Sequence, residues 1–479
     1  MRAAATRIEE ACARWSGRRV VVVGAGRSGL AAAHLLLDCG ARVTITDARP
    51  REQLDGADVL AERGAAVSAG AHPPELWESA DVAVFSPGIP PGAPVAEQAR
   101  DAGVEIVAEI ELAAAFIGVP IIAITGSNGK STVTSMVGAI LEAAGQRPAV
   151  CGNIGTALSA AVRREVGEGA AFDAYVVEIS SFQADAIDRF HPRLAAVLNL
   201  QPDHLDWHGS LDRYAAAKLR LARNMTADDW LVFNHDDEGL RRRRPAGPVR
   251  LLPFSYRPAE PAPPAAWVGE QTIWWWPADG PRQALAELAD LAVIGPHNQA
   301  NACAAAALAA LHGVPAAAIA AGLAGYRPLE HRMEECGAPG GVRCINDSKA
   351  TNVDATLAAL SGFESGVWLI LGGRDKGADF SRLRPLLPGR VRRVLLIGEA
   401  AEPIAAALGD TCEPQRCGTL ERAVSAALGA AAPGDTLLLA PACTSFDQYA
   451  DFEERGRHFK ALVTAATDAD PTAPQSMED

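Results

Sequence analysis

Short runs of aliphatic and β-branched residues recur along most of the chain, each followed by a glycine or polar turn and then by a segment of helical periodicity. Over the first ~110 residues the runs are Arg19–Gly24, Arg42–Thr46 and Asp81–Phe85. Continuously apolar strands alternating with helices predict parallel sheets covered on both faces. The rhythm restarts at Ile121, with further strands predicted at Ala174–Ile179, Leu194–Asn199 and Trp230–Asn234. From about Arg241 to Pro277 it breaks. Prolines there surround Trp267 and Trp274–Trp276, which reads as a hairpin or excursion on a domain edge. An alanine-rich helical region runs from Pro296 to about Gly325. A third block opens near Tyr326, with strands predicted at Val367–Leu371, Arg393–Ile397 and Thr436–Ala440. The polar tail from about Asp468 is expected to be disordered.

The chain has 479 residues, too many for one ordinary core, so two to four domains are expected. No stretch approaches the ~18 consecutive apolar residues of a membrane span. The N-terminus mixes Arg2, Arg7, Glu9, Glu10 and Arg14 with alanines and does not resemble a signal peptide. A net charge of -14 argues against a nucleic-acid partner held by bulk electrostatics. Any anionic ligand must then be held by local cationic clusters and helix N-termini. The nine cysteines are scattered, with no C-x-x-C pair, as expected of reduced thiols in a cytoplasmic protein.

The most specific chemical signal follows the run at Ile121. Thr125-Gly-Ser-Asn-Gly-Lys-Ser-Thr132 joins a buried strand to a helix. Gly126 and Gly129 allow backbone N–H groups to approach phosphate oxygens, with Ser127 and Asn128 between them. Lys130 supplies a point charge, Ser131 a hydroxyl for Mg²⁺, and the helix from Thr132 onward a dipole that favours anions. ATP is the expected ligand.

Other constellations sit at predicted strand ends. Gly24-x-Gly26-x-x-Gly29, with Asp47 closing the next strand, suits a dinucleotide, another diphosphate ligand or a structural tight turn. Ser86 opens a second backbone-rich loop at the same edge. Glu178 is placed either for Mg²⁺ or as a helix-capping acid. His204, after Asp203, reads as a loop histidine or a metal ligand. Lys218, in a helical run, has no functional signal of its own. Asn298 and Asn301, at i and i+3, could read an adenine edge or cap a helix. In the third block, Asn346–Asn352, Gly372–Phe380 and Ala442–Phe446 form three polar loops at one sheet edge. Their Lys349, Arg374 and Lys376 would attract carboxylates.

On these motifs the chain resembles the Mur ligases nearly end to end. Its nucleotide loop is similar to the family's and departs from the full Walker pattern, with Ile124 where the first Walker glycine would stand. That loop is shared with folylpolyglutamate synthases. Asn346–Asn352, Glu178-Ile-Ser-Ser-Phe-Gln183 and Ser445-Phe-Asp-Gln448 are similar to the branch that adds D-glutamate to UDP-N-acetylmuramoyl-L-alanine.

The resemblance implies an α/β fold of three domains. These are a Rossmann-like domain over 1–110 for the uridine diphosphate substrate, a central P-loop-type ATPase domain with a parallel sheet over 111–325, and a Rossmann-like amino-acid domain over 326–479. Gly24, Gly26, Gly29, Asp47 and Ser86 would then serve the uridine diphosphate, not NAD. Two Mg²⁺ ions are implied, one on Ser131 and Glu178, the other on His204 and a carbamylated Lys218; His204 is also a candidate base. Asn153 would meet substrate and nucleotide phosphate, and Asn298 and Asn301 the adenine side. Arg332 and Asp347 would meet ATP, and Lys349, Thr351, Lys376, Ser445 and Phe452 the D-glutamate. Around Lys376 this chain reads Gly-Arg-Asp-Lys-Gly, slightly unlike its relatives, which leaves Arg374 and Asp375 without an assigned role. A cytoplasmic monomer active in peptidoglycan precursor synthesis is expected. The rival readings are an NAD-dependent oxidoreductase, a folate-type or L-glutamate ligase, and a nucleotide-binding scaffold without activity.

Overall fold

The computed structural model describes residues 2–243, 245, 247–257, 261–291 and 295–468. The tail expected to be disordered lies, beyond Asp468, outside the described residues. The structure divides into two compact units, Met1–Leu291 with Ala300–Tyr326, and Ala292–Gln299 with Arg327–Asp479.

The first unit contains two sheets. The strands β1 (Arg19–Val23), β2 (Arg42–Asp47), β3 (Ala66–Ala69), β4 (Val82–Phe85) and β5 (Glu105–Ala108) form a parallel sheet in the order β3-β2-β1-β4-β5. The order reverses beside β1, so the glycine turn after β1 opens at the switch point where α/β sheets bind ligands.

The larger sheet comprises β6 (Ile121–Thr125), β7 (Pro148–Gly152), β8 (Ala174–Glu178), β9 (Leu194–Val197), β10 (Trp230–Asn234), β11 (Arg250–Ser255), β12 (Ala265–Gly269), β13 (Thr272–Trp276) and β14 (Gln283–Glu287). Its order is β14-β13-β12-β11-β10-β9-β6-β8-β7. The strands from β7 to β12 pair in parallel, and β13 and β14 add an antiparallel ribbon. This ribbon is the excursion expected near Trp267 and Trp274–Trp276. Trp267 faces Trp274 across it, with the rings stacked 6.2 Å apart. The strands β6, β8 and β9 are wholly buried, which is why their sequences run apolar, without alternation, up to the polar Thr125 and Glu178 that end β6 and β8.

The alanine-rich region forms two helices, Pro296–Leu311 and Ala316–Gly325, separated by a turn that ends at Pro315. Small residues let the second helix lie against Lys130–Ala143. A Cβ on Gly322 would strike the backbone of Ile140.

In the second unit, β15 (Glu334–Gly337), β16 (Arg343–Asn346), β17 (Val367–Gly372), β18 (Val391–Ile397), β19 (Gln415–Gly418) and β20 (Thr436–Leu439) form a sheet ordered β15-β16-β20-β17-β18-β19. It is parallel except at β15. The loops after β16, β17 and β20 therefore leave neighbouring carboxyl ends of adjacent strands. The three polar loops singled out in the sequence meet for that reason.

Candidate active site

In the first unit, the turn between β6 and the helix Lys130–Ala143 is fixed on every side. The Asn199 amide accepts the Asn128 N–H at 2.8 Å and donates to the Asn128 carbonyl at 3.1 Å. The Ser127 hydroxyl donates to the Gln201 carbonyl at 2.9 Å and lies 3.0 Å from the Tyr214 hydroxyl. Gly129 has φ +82, and a Cβ there would collide with the Asn301 amide. Lys130 folds back over the turn and donates to the carbonyls of Gly126 at 2.9 Å and Ser127 at 2.7 Å. Thr132, next on the helix, is buried.

Glu178, at the end of β8, is 2% exposed and reaches both neighbours. Ser131 donates its hydroxyl to one carboxylate oxygen at 2.5 Å, and the Asn153 amide donates to the other at 2.8 Å. Asn153, Glu178 and Ser131, from three separate segments, thus converge at the helix N-terminus.

Lys218 is 1% exposed and donates at 2.8 Å to the Gly126 carbonyl that also accepts Lys130. Its ammonium sits 4.5 Å from the Tyr214 ring. Burial, and then the charge of Lys130, push its pKa well below the usual lysine range; Asp203 and Glu178 oppose this. The lysine that carried no functional signal of its own in the sequence is therefore a buried amine beside the phosphate turn, drawn toward its neutral form. His204 takes a left-handed backbone (φ 51) and packs 4.8 Å from Phe182, with its ring 3.5 Å from the Asp203 carboxylate.

The turn after β1 borders a cleft of about 390 Å³ that also receives Arg27, Ser86, Asn153 and Gln183. A Cβ on Gly29 would overlap the Gly24 carbonyl, so only glycine lets the helix Arg27–Asp38 start so close to the strand. Ser86 donates to that same carbonyl at 3.1 Å. Gly26 precedes the helix as its N-cap. Asp47 accepts the Ala25 N–H at 2.7 Å, the Arg49 N–H at 2.9 Å and a two-pronged contact from the Arg49 side chain at 3.0 and 2.9 Å. Sequence reasoning passed over Arg49, although its place two residues beyond a strand-end acid was a usable signal. It likewise missed Tyr214 and the buried His208, which lies 3.1 Å from the Ser181 hydroxyl.

In the second unit, Asp347 leaves the end of β16 buried beside Arg332 and accepts the Met333 N–H at 3.2 Å. Burial raises its pKa to about 7, with the Arg332 charge opposing. The Lys349 ammonium lies 3.5 Å above the Phe452 ring. Ser445 is buried, Thr351 half-buried and Lys376 exposed. Asn298 and Asn301 both stand in the first turns of the helix Pro296–Leu311 and are both buried.

A phosphate turn on a central parallel sheet, with a Rossmann-like sheet on either side in sequence, defines a three-domain α/β nucleotide-dependent enzyme. The chain belongs to the Mur ligase family. Residues 18–108 match the Mur ligase MurD-like N-terminal domain, 124–309 the Mur ligase middle domain, and 331–443 the Mur ligase glutamate ligase domain. The chain is 45% identical over 451 residues to a protein of Acidobacterium capsulatum named UDP-N-acetylmuramoylalanine–D-glutamate ligase, covering 94% of this chain and 96% of that one. It is 44% identical over 456 residues to the protein of that name from Anaeromyxobacter dehalogenans, covering 94% and 98%. Among solved structures, a pseudomurein peptide ligase type C from Methanothermus fervidus matches with a TM-score of 0.60 at 18% identity, over 94% of this chain and 100% of that one. The UDP-N-acetylmuramate-alanine ligase of Thermotoga maritima gives 0.59 at 19% identity, over 94% and 99%. These structures share the fold.

The Asp47 contacts have a consequence for stability. The Arg49 side chain foremost, then the Arg49 and Ala25 N–H groups, hold its pKa down to about 2 against the effect of burial. An unfolded aspartate titrates near ~3.9. The stabilisation is therefore complete above about pH 4 and lost as pH falls from there toward 2; it is worth no more than about 2 kcal/mol. The thermal midpoint of Asp47→Asn, compared with wild type at about pH 5 and pH 3, should fall less on acidification. An equal fall in both would contradict the assignment.

Proposed function

We propose that this protein is an ATP-dependent ligase that joins D-glutamate to UDP-N-acetylmuramoyl-L-alanine, forming an amide in cytoplasmic peptidoglycan precursor synthesis. The observation that carries the reading is the match, over nearly the full length of both chains, to ligases so named. The geometry of the phosphate turn supports it. Helices of the described residues are all too short or too polar to cross a membrane.

A carboxylate is a poor electrophile because it is anionic and resonance-stabilised. The L-alanyl carboxylate attacks the γ-phosphoryl group of ATP, giving an acyl phosphate and ADP. The D-glutamate ammonium gives up a proton, its free amine attacks the acyl carbon, phosphate leaves, and the nitrogen loses a second proton as the amide forms, both protons passing to solvent. Gly126–Gly129 and the helix N-terminus cradle the phosphates, and Lys130 unfolds from its two carbonyl contacts to offset charge that develops on the transferred group. Asn153, already on Glu178, meets the phosphate and the incoming carboxylate. Gly24, Gly26, Gly29, Asp47 and Ser86 bind the uridine diphosphate. Asn298 and Asn301 take the adenine side, and Arg332 and Asp347 the triphosphate. Lys349, Thr351, Lys376, Ser445 and Phe452 hold D-glutamate.

The donor set fits magnesium, since a serine hydroxyl and a carboxylate already in contact are hard oxygen ligands. Ser131 and Glu178 would hold one ion; His204 and Lys218, the latter as a carbamate, would hold a second. The ions would neutralise charge on the triphosphate. Burial of Lys218 favours the neutral amine that adds CO₂, forming an N–C bond with loss of one proton.

Phosphate release with ATP, magnesium and UDP-N-acetylmuramoyl-L-alanine tests the reading. D-glutamate should support turnover, and L-glutamate should support little or none. Equal rates with both, or turnover with L-glutamate alone, would overturn the D-specific assignment. Lys218→Ala should lose activity by about a hundredfold or more, as for loss of a group that stabilises transferred charge. Added short carboxylic acids should restore part of it by standing in for the carbamate. Unchanged activity would remove Lys218 from the site.

A further inference from the structure

Buried charges in folded proteins are ordinarily paired with an opposite charge. Arg455 departs from that rule. It belongs to the helix Phe452–Asp468, is 1% exposed, and is among the largest fully buried side chains of the protein. Among the described residues no carboxylate stands within ion-pair distance of it. Its partners are neutral oxygens. The Nε donates to the Ser348 hydroxyl at 2.9 Å, one Nη to the carbonyls of Ser348 at 2.8 Å and Cys443 at 3.1 Å, and the other Nη to the Thr444 carbonyl at 3.4 Å. Ser348 in turn donates its hydroxyl to the Phe452 carbonyl at 2.8 Å. The third loop completes the arrangement. A Cβ on Gly373 would press on this guanidinium and on the Thr444 carbonyl, and Arg374 pairs with Thr444 through backbone bonds at 2.9 and 3.2 Å.

The guanidinium therefore sits beneath all three polar loops, after β16, β17 and β20. Each position assigned to D-glutamate lies within three residues of Arg455 or of a residue against it: Lys349 next to Ser348 and Thr351 three beyond it, Ser445 next to Thr444, Phe452 three before Arg455, and Lys376 three beyond Gly373. Five-donor planar geometry lets one arginine bind four oxygens from two loops, which a lysine cannot do.

We infer that Arg455 is a positioning residue for the amino-acid substrate, tying the loops after β16 and β20 together against the loop after β17 and leaving there a positive charge that the dicarboxylate of D-glutamate helps to offset. The inference rests on the functional reading above. Its hydrogen-bond partners are all dipoles, and the Asp447 carboxylate acts on it only from beyond ion-pair distance, which leaves charge for the dicarboxylate substrate to offset. Burial lowers the guanidinium pKa to about 10, with the Asp447 carboxylate among the groups opposing, so the group stays charged at neutral pH.

The test compares Arg455→Ala, Arg455→Lys and Ser348→Ala with wild type in the phosphate-release assay. Arg455→Ala should raise KM for D-glutamate by about tenfold or more, the scale expected for lost hydrogen bonds to a charged group. KM for ATP and for UDP-N-acetylmuramoyl-L-alanine should stay within about twofold, since the loss is confined to one pocket. Guanidinium chloride at low millimolar concentration should restore D-glutamate affinity in Arg455→Ala, whereas sodium chloride at equal ionic strength should not. Ser348→Ala and Arg455→Lys keep the charge and remove part of the clamp. Each should raise KM for D-glutamate severalfold, which keeps the test decisive if Arg455→Ala does not fold. Equal rises in all three KM values, or an unchanged KM for D-glutamate in Ser348→Ala and Arg455→Lys, would overturn the inference. Wild-type turnover with D-glutamate in the same assay tests the functional reading separately.

Discussion

The Gly126 carbonyl accepts hydrogen bonds from two lysines, Lys130 and Lys218, and the phosphate turn is built around that convergence. Bringing two ammonium groups to one oxygen is unfavourable unless one of them gives up its proton or an anion joins them. Lys218 is the buried member of the pair and is drawn toward neutrality, while Lys130 is partly exposed at the turn. On the functional reading proposed above, Lys130 is the lysine that meets phosphate and Lys218 the one that adds CO₂. The turn that carries the shared carbonyl cannot yield to this repulsion, because Asn199, Ser127, Gln201 and Tyr214 pin it to neighbouring strand ends and helices.

The second unit solves a related problem by other means. On the proposed function its substrate is a small dianion, and a protein of net charge -14 must concentrate positive potential locally to hold one. Exposed lysines and arginines do this weakly in water. A guanidinium sealed beneath the loops, held by carbonyls and one hydroxyl, acts in a lower dielectric and also sets loop geometry. Preorganisation and electrostatics then come from the same group.

Legibility in the sequence followed burial. Central strands such as β1, β6, β8, β17 and β20 are buried on both faces, so their aliphatic runs stood out. Edge and short strands did not: β3 reads Ala-Val-Ser-Ala and β19 Gln-Arg-Cys-Gly, and their register comes from neighbours rather than from side-chain pattern. The phosphate turn was legible because its chemistry needs glycines and a lysine at fixed spacing. Lys218 carried no local signal, since its burial depends on Tyr214 and the Gly126 carbonyl, 92 residues away in sequence. Arg455 was invisible for the same reason: its partners Ser348 and Cys443 lie on other strands' loops, and on a helix it looks like any surface arginine.

The central claim is that the pinned turn and its lysine receive the triphosphate that activates the substrate carboxylate. ADP formation by Lys130→Met in the presence of ATP, magnesium and UDP-N-acetylmuramoyl-L-alanine, with circular dichroism as the check on folding, tests it most directly. The account predicts a native spectrum with ADP formation reduced by at least about a hundredfold, the scale for a group that stabilises transferred charge. A folded variant that still forms ADP at the wild-type rate would contradict it.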